Sequence, residues 1–516
     1  MKLLKYISRI LAVYLVLVMV ACETGFDDLN TNPNATESTT PESVMPYAMA
    51  RVAFEVNFQI GFLTTSNWVQ HIAESEYPSA DQYRSMSAIS NIIWDELYFG
   101  ALKDFKFIED KSFQIQTETG FNKSNYIAIA KIMKAYTYSV MTDVWGSIPY
   151  EEALEGDEEG GSLTPSYDDQ ETIYNSLLSE LEDAVGLIVI EPDENNKPSS
   201  EDLIYGGDMG KWLKFANSLQ LRMYMHLSKK MPGTYDAKIN SLLEDPKALM
   251  EKNSENAQLI FSGDAANPVY SRINARPRDF RMSKTLIDMM RGGTEISPDY
   301  IDPRLPLFAK KSEEEKDADD NVIYEGGEYI GIHNGMNSIG ELKDDADDPL
   351  YTMFKSSKVG DAQGSANSPA ILMTYSEVLF IKAELAAKNG SAEAQELYEN
   401  AVKASMEQFG VEDQAAIDNF LDHPNFNYEQ AEKPLQLIGE QKWVALYGNW
   451  VEAFSNWRRT GFPELQAAST NFTSGVIPRR FTYPTLENST NGSNYSSAIS
   501  AQGGADLIDR VWWDAE

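Results

Sequence analysis

TYSEVLFIKAELAAKNG (374–390) runs without a gap into SAEAQELYENAVKASMEQFG (391–410), and this double segment decides the fold. In its second half Ala394, Tyr398 and Ala401 repeat as small, large, small at helical spacing. Small residues there let two antiparallel helices approach closely. Phe380, Ile381 and Leu385 of the first half stand at matching intervals and are expected to fill the groove opposite. The pair reads as a tightly packed helical hairpin.

The spacing is that of a tetratricopeptide repeat, and this is its one well-formed copy. Outward from it, the same helical period recurs in degenerate form from about residue 46 onward. NYIAIAKIMKAYTYSVMTDVW (125–145) places Ile129, Ile132, Met133, Tyr136, Val140 and Val144 on one side, until Gly146 and Pro149 end the run. A second helix is expected to start at Ser166, with Asp169 three residues on, and to continue through Ile173, Leu177, Leu178, Leu181, Ala184 and Val185. The polar loop between them lets the two fold back on each other. KWLKFANSLQLRMYMHLSKK (211–230) turns Trp212, Phe215, Ala216, Leu219 and Met223 inward. A last helix is expected over Leu435–Trp457, followed by ordered loops rich in Gly, Asn, Ser and Thr. The chain is therefore mainly α, with a single helical body over 46–516.

The 516 residues carry 43 Lys and Arg against 79 Asp and Glu, a formal net charge of −36. Such a surface repels phosphate backbones, and no Lys/Arg-rich stripe offsets it, so nucleic acid is excluded as a partner. One Cys cannot close an internal disulfide, and four His make a multi-His metal site improbable. Residues 1–9 are basic and lead into the apolar run 10–21, a signal-peptide layout too short to span a bilayer. Met19-Val20-Ala21-Cys22 then resembles a lipobox. We expect a signal peptide over 1–21, acylation of Cys22 (diacylglycerol with a palmitate-class N-acyl chain), and a flexible Asn/Thr/Ser/Pro-rich tether over 22–45. Membrane contact would then run through the lipid alone.

No zinc-binding His-Glu-x-x-His, nucleophile elbow, phosphate loop or Cys-x-x-Cys is present, so no catalytic residue, metal or cofactor is assigned. In DADDNVIYEGGE (317–328), Asp317, Asp319, Asn321 and Glu328 fall at positions 1, 3, 5 and 12 of a calcium loop. Val322 stands where the turn needs Gly, so a solvated acidic loop is expected, with calcium as the alternative. Aromatic rings are the stronger signal, because sugars and extended peptides bind largely against flat apolar faces. Trp94, Trp212 and Trp443 lie on helical stripes and are assigned to the core. Trp68, Tyr77 and Tyr83 flank the polar break ESEYPSADQYRS, and Tyr329, His333 and Asn334 interleave with glycines in YEGGEYIGIHNGMNS (324–338). These six are the candidate ligand contacts.

DLNTNPNA (28–35), TDVWGSIPYEEAL (142–154), DLIYGGDMGKWLKFANSLQLRM (202–223), DPRLPLF (302–308), IPRRFTYPTLEN (477–488) and VWWD (511–514) occur in this order. With the helix pair 374–410, they make the chain resemble the SusD/RagB group of outer-membrane nutrient-binding lipoproteins. The resemblance implies about four tetratricopeptide-like helix pairs covered by long irregular loops, with little β structure. It implies a non-enzymatic lid on a SusC-type TonB-dependent β-barrel transporter, binding an oligosaccharide or peptide at the cell surface and passing it on unchanged. The acids Glu23, Asp27 and Asp28 after Cys22 resemble the surface-export signal of Bacteroidota lipoproteins. DVWGSIPY and RRFTYP read as folding determinants. The rival expectations are a surface glycoside hydrolase and a structural adhesin or interaction scaffold.

Overall fold

The computed structural model describes residues 39–263, 265–292, 301–316, 322–336 and 355–516. The signal peptide, Cys22 and the tether up to residue 38 lie outside the described residues, as do Asp317, Asp319 and Asn321. The body opens with helix Pro41–Val52, which takes the end of the stretch expected as tether. Thr40 and Ser43 cap it reciprocally. It runs on without a break into the wide-turned π-helix Ala53–Thr65 and ends at Trp68.

Four helical hairpins follow: Lys103–Thr119 with Ser124–Trp145, Gln170–Leu187 with Met209–Leu227, Tyr375–Lys388 with Ala394–Gln408, and Pro434–Ala445 with Trp450–Thr460. In the third, Ala394, Tyr398 and Ala401 are buried, the last two in one cluster with Phe380, and the Tyr398 hydroxyl donates to the Phe426 carbonyl at 2.9 Å. Burying a ring of that size contributes about 2–3 kcal/mol. Among the described residues one large apolar cluster lies under most of the hairpins, a smaller one surrounds this hairpin, and two minor ones gather at Ala53, Leu259 and Ala370 and at Ala73, Ile332 and Met336. Three two-stranded antiparallel sheets complete the described fold.

The structure departs from the sequence reading in four places. The second helix starts at Gln170, with Asp169 as its cap accepting from Thr172 N at 2.9 Å. Ser166 is held outside by Glu152, because Asp168 is already paired with Ile148 and accepts from the amides of Tyr150 and Glu151. The expected helix 435–457 is two helices. Gly448, at φ +89°, turns the chain between them where any Cβ would lie 2.4 Å from the Gln363 amide. The carboxyl-terminal loops contain helices Thr485–Thr490 and Gly492–Gln502. Finally, Ser124–Trp145 is buried on every side rather than on one stripe. Its two lysines, Lys131 and Lys134, reach Glu109 and Glu180.

Neighbouring helices, chiefly Lys103–Thr119 and Gln170–Leu187, cover the helix along its length, and the carboxyl-terminal segment covers its end. Phe481 N donates to Val144 O at 2.7 Å, Trp145 Nε1 to Thr482 O at 3.2 Å, and the Tyr483 hydroxyl to Ser147 O at 2.5 Å. DVWGSIPY and RRFTYP are thus two halves of one internal contact.

Where these elements meet, His226 lies between Asp143 (Nδ1 to Oδ2, 3.2 Å) and Glu452 (Nε2 to Oε2, 3.1 Å). Trp513 Nε1 donates to Asp143 Oδ1 at 2.7 Å and its indole stacks on the imidazole. Burial opposes charging the ring, but the two carboxylates outweigh it and hold its pKa up at about 9, against 6.5 for a free imidazole. A group raised in the folded state stabilises fully below 6.5 and loses that contribution as pH rises through 9. His226→Gln is expected to lower unfolding free energy by about 3 kcal/mol near neutral pH. It should also flatten the alkaline decline, measured as chemical denaturation at a series of pH values.

Candidate ligand-binding face

The site is built on a short ribbon. Ile72–Glu74 pairs antiparallel with Phe280–Met282, in the register Ile72 to Met282, Ala73 to Arg281 and Glu74 to Phe280. Beyond it the pairing continues irregularly, Ser75 N donating to Asp279 O at 2.8 Å and the Ser75 hydroxyl to the Arg278 carbonyl. The loop 75–83 and the turn 276–279 therefore leave the ribbon together. A third stretch joins its other edge, with Ile332 N on Met282 O at 3.0 Å and Lys284 N on Ile332 O at 2.7 Å. A fourth, 466–472, closes over the top through Ala468 N to the Tyr83 hydroxyl (3.0 Å), Ser469 N to Asn334 O (3.0 Å) and Phe472 N to Gln82 O (2.9 Å).

Two carboxyl groups knot these four stretches. Asp81 accepts from Asn334 Nδ2 at 2.5 Å, Gly335 N at 2.8 Å and Glu74 N at 3.2 Å. Glu74 accepts from the amides of Ala80 and Asp81 at 3.0 and 3.2 Å. Burial, together with the repulsion between the two, pushes Glu74 up to about 8. Burial pushes Asp81 up to about 7, against the amide donors that pull it down. The knot also holds Tyr77 and Tyr83 in left-handed backbone, at φ +55° and +57°. Such conformations cost of order 1 kcal/mol or more and persist where neighbours over-determine them. Gly335, at φ +83°, passes so close to Thr470 O that a Cβ would lie 2.6 Å from it.

All six sequence candidates belong to this assembly, in different roles. Trp68 has no exposed surface, donates to Ala80 O at 3.1 Å and packs edge-on against Phe454 and Phe481. Tyr83 and Asn334 are also buried, their polar atoms used within the knot. Tyr329 is buried beneath Lys311, 5.6 Å from its ring. These four rings and amides shape the face but present no surface to a ligand, which corrects their assignment as direct contacts. Tyr77, at 71% exposure, and His333 are exposed.

Sequence reasoning missed Phe472, 58% exposed, with the Arg84 guanidinium 4.0 Å over its ring. It also missed a cavity of about 420 Å³ beside the ribbon, lined among others by Tyr270, Arg276, Phe280, Lys310 and Lys358. Arg276 connects that cavity to Tyr77, lying 5.9 Å from its ring. The available signal was the cation run Arg272 to Lys284 in an otherwise acidic chain. A second cavity of about 570 Å³ is lined mainly by apolar side chains such as Trp94, Phe99, Leu163 and Leu486, with Asp95, Lys103, Asp157, Glu487 and Asn491 also in its walls. At the acidic loop, Glu315–Lys316 and Val322–Tyr324 pair as a β-hairpin, and Glu328 is exposed beyond it.

Helical hairpins thus carry a loop-built face with exposed aromatic and charged side chains. Residues 33–484 match the SusD-like family described as starch-binding and associating with the outer membrane, and the chain belongs to it. It is similar in structure to a chitin-binding protein (26% identity, 92% of this chain and 100% of that one, TM-score 0.77). It is also similar to a chitin-binding SusD homologue from Flavobacterium johnsoniae (25%, 92% and 99%, 0.71). A SusD homologue from Parabacteroides distasonis shares the fold at 22% identity (92% and 98%, 0.77). No curated protein matches. Among the described residues, no helix is long and apolar enough to cross a membrane.

Replacing Asp81 by Ala takes the acceptor from the amides of Gly335 and Glu74, while Asn334 Nδ2 keeps the carbonyls of Asn67 and Ile72, so a loss of about 2–3 kcal/mol is expected. Amide exchange of 75–83 and 334–336 should rise together. In the native chain, the raised carboxyls stabilise fully below the ordinary carboxylate range and lose that contribution as pH climbs through 7 to 8. Exchange of the same amides, corrected for intrinsic rate, should therefore accelerate over that interval.

Proposed function

We propose that the protein captures an oligosaccharide at the outer-membrane surface and hands it, chemically unchanged, to a SusC-type TonB-dependent β-barrel transporter. The observation that carries the reading is the exposed Tyr77 ring, fixed in left-handed backbone by a buried knot and beside a cavity with polar walls. Family membership supplies the context, and chitin binding by two proteins of the same fold supports a glycan over a peptide. Acylation at Cys22 and the segment behind it would tether the body while it opens and closes over the barrel. The carboxyl pair Glu74 and Asp81 does not favour a hydrolase, since its oxygens are engaged by backbone amides.

Weak binding suits transfer. Two or three ring contacts at about 1 kcal/mol each, with hydrogen bonds, give micromolar to millimolar affinity. Titration against an immobilised glycan panel should identify a ligand. Tyr77→Ala should then lower affinity about fivefold with no change in thermal unfolding, Tyr77 being solvent-facing. Release of reducing ends by the purified protein would refute the reading, and so would a panel in which no glycan binds.

A further inference from the structure

We infer that the oligosaccharide this face takes is anionic, bearing carboxylate or sulfate groups; the inference rests on the glycan-binding reading above and narrows its substrate class. Tyr270–Lys284 holds five cations and one carboxylate, in a chain whose net charge is −36. The fold does not disperse them. The ribbon register sets Arg281 opposite Ala73, and the turn before it places Arg276 beside Tyr77.

The way these cations meet the rings discriminates between ligands. A neutral sugar stacks on a bare aromatic face. Here Arg84 lies 4.0 Å over Phe472 and Arg276 5.9 Å from Tyr77, so a cation competes for each exposed ring. A guanidinium lying over a ring still presents N–H donors at its edge, and a carboxylate or sulfate accepts two of them at once. The ring and the cation then bind one acidic sugar together, the ring taking the C–H face and the cation the acid.

Counter-charges on the face are incomplete. Arg278 pairs with Glu76, Lys284 with Asp288 and Lys358 with Glu313, each at 2.6 Å, Lys310 with Asp361 at 3.0 Å and Arg272 with Asp279 at 3.3 Å, while Arg276 reaches Asp279 only at 3.9 Å. Arg84, Lys311 and Arg281 form no ion pair with any described carboxylate. Arg281 is 1% exposed and held by Ser356 Oγ and the carbonyls of Pro277 and Phe280. A buried guanidinium without a carboxylate leaves positive potential at the surface above it, where the protein as a whole is negative. An acidic peptide shares the charge but fits less well, since it adds to an open strand edge and Phe280–Met282 is already flanked on both sides.

The test is calorimetric titration of the mature chain with four probes: oligogalacturonate, a carrageenan oligosaccharide that bears sulfate and no carboxylate, a neutral N-acetylglucosamine oligomer and hexaglutamate. At about 50 mM salt, at least one acidic glycan should bind about tenfold tighter than the neutral one, and about 300 mM salt should remove most of that advantage. Whichever acidic arm binds distinguishes carboxylate from sulfate. Arg84→Gln and Arg276→Gln should each weaken it about fivefold with thermal unfolding unchanged, both side chains being solvent-facing. Neutral binding equal to or tighter than acidic overturns the inference and leaves the glycan reading standing. Acidic binding that survives both substitutions, or that hexaglutamate matches, also overturns it. Absence of binding to all three glycans overturns both.

Discussion

A charged imidazole with no access to water can exist only where carboxylates reach it from both sides. His226 meets that condition because Asp143, on the second helix of the first hairpin, and Glu452, on the last hairpin, converge on it. Arg222 Nε, one turn earlier on the same helix, sits 3.4 Å from Glu452 and also pairs with Glu377. Charges drawn from all four hairpins thus share one buried cluster. Desolvation makes each member costly alone, so removing any one leaves the others uncompensated. Hydrophobic packing would tolerate small slips between hairpins; this cluster does not. Trp513, bonded to Asp143, brings the carboxyl-terminal end of the chain into the same arrangement.

The helical hairpins were legible because apolar period alone specifies them. Ala394, Tyr398 and Ala401, and the Trp212 to Met223 stripe, are buried as read. What was not legible depended on partners distant in sequence. Ser166 looks as good a cap as Asp169 until Asp168 is seen bonded to the Ile148 region, which fixes where the helix can begin. Leu435–Trp457 keeps its period across Gly448, so only the close approach of Gln363 reveals the break. Ser124–Trp145 carries enough Ala, Ser and Thr to suggest a polar side. Those small residues are instead what allow helices to pack all round it.

The candidate face was legible as a region and not as a set of contacts. Both polar breaks chosen from the sequence, around Tyr77 and around Asn334, are joined through Asp81. Composition could not say which rings face outward. Trp68 and Tyr83 lie as close to the break as Tyr77, yet one caps a helix end against the core and the other is pinned by Ala468. Phe472 lies in a stretch with no period, and only its amide bond to Gln82 places it here. Ring orientation is a tertiary property, set by the left-handed turns at Tyr77 and Tyr83.

Rigidity and release are reconciled by where the bonds are spent. The knot of Asp81, Glu74 and Asn334 lies under the face, so Tyr77 and Phe472 are presented without having to be ordered by the ligand, and little entropy is lost on binding. Presentation is therefore cheap, while the contacts themselves remain few and solvent-facing, which keeps dissociation fast. The capture-and-transfer role proposed above would gain from this division. A deeper cleft would add affinity by burying the cargo, and release would then require the loops to open. For an anionic cargo as inferred above, the cations beside the rings would raise the encounter rate by long-range attraction while local contacts stayed weak.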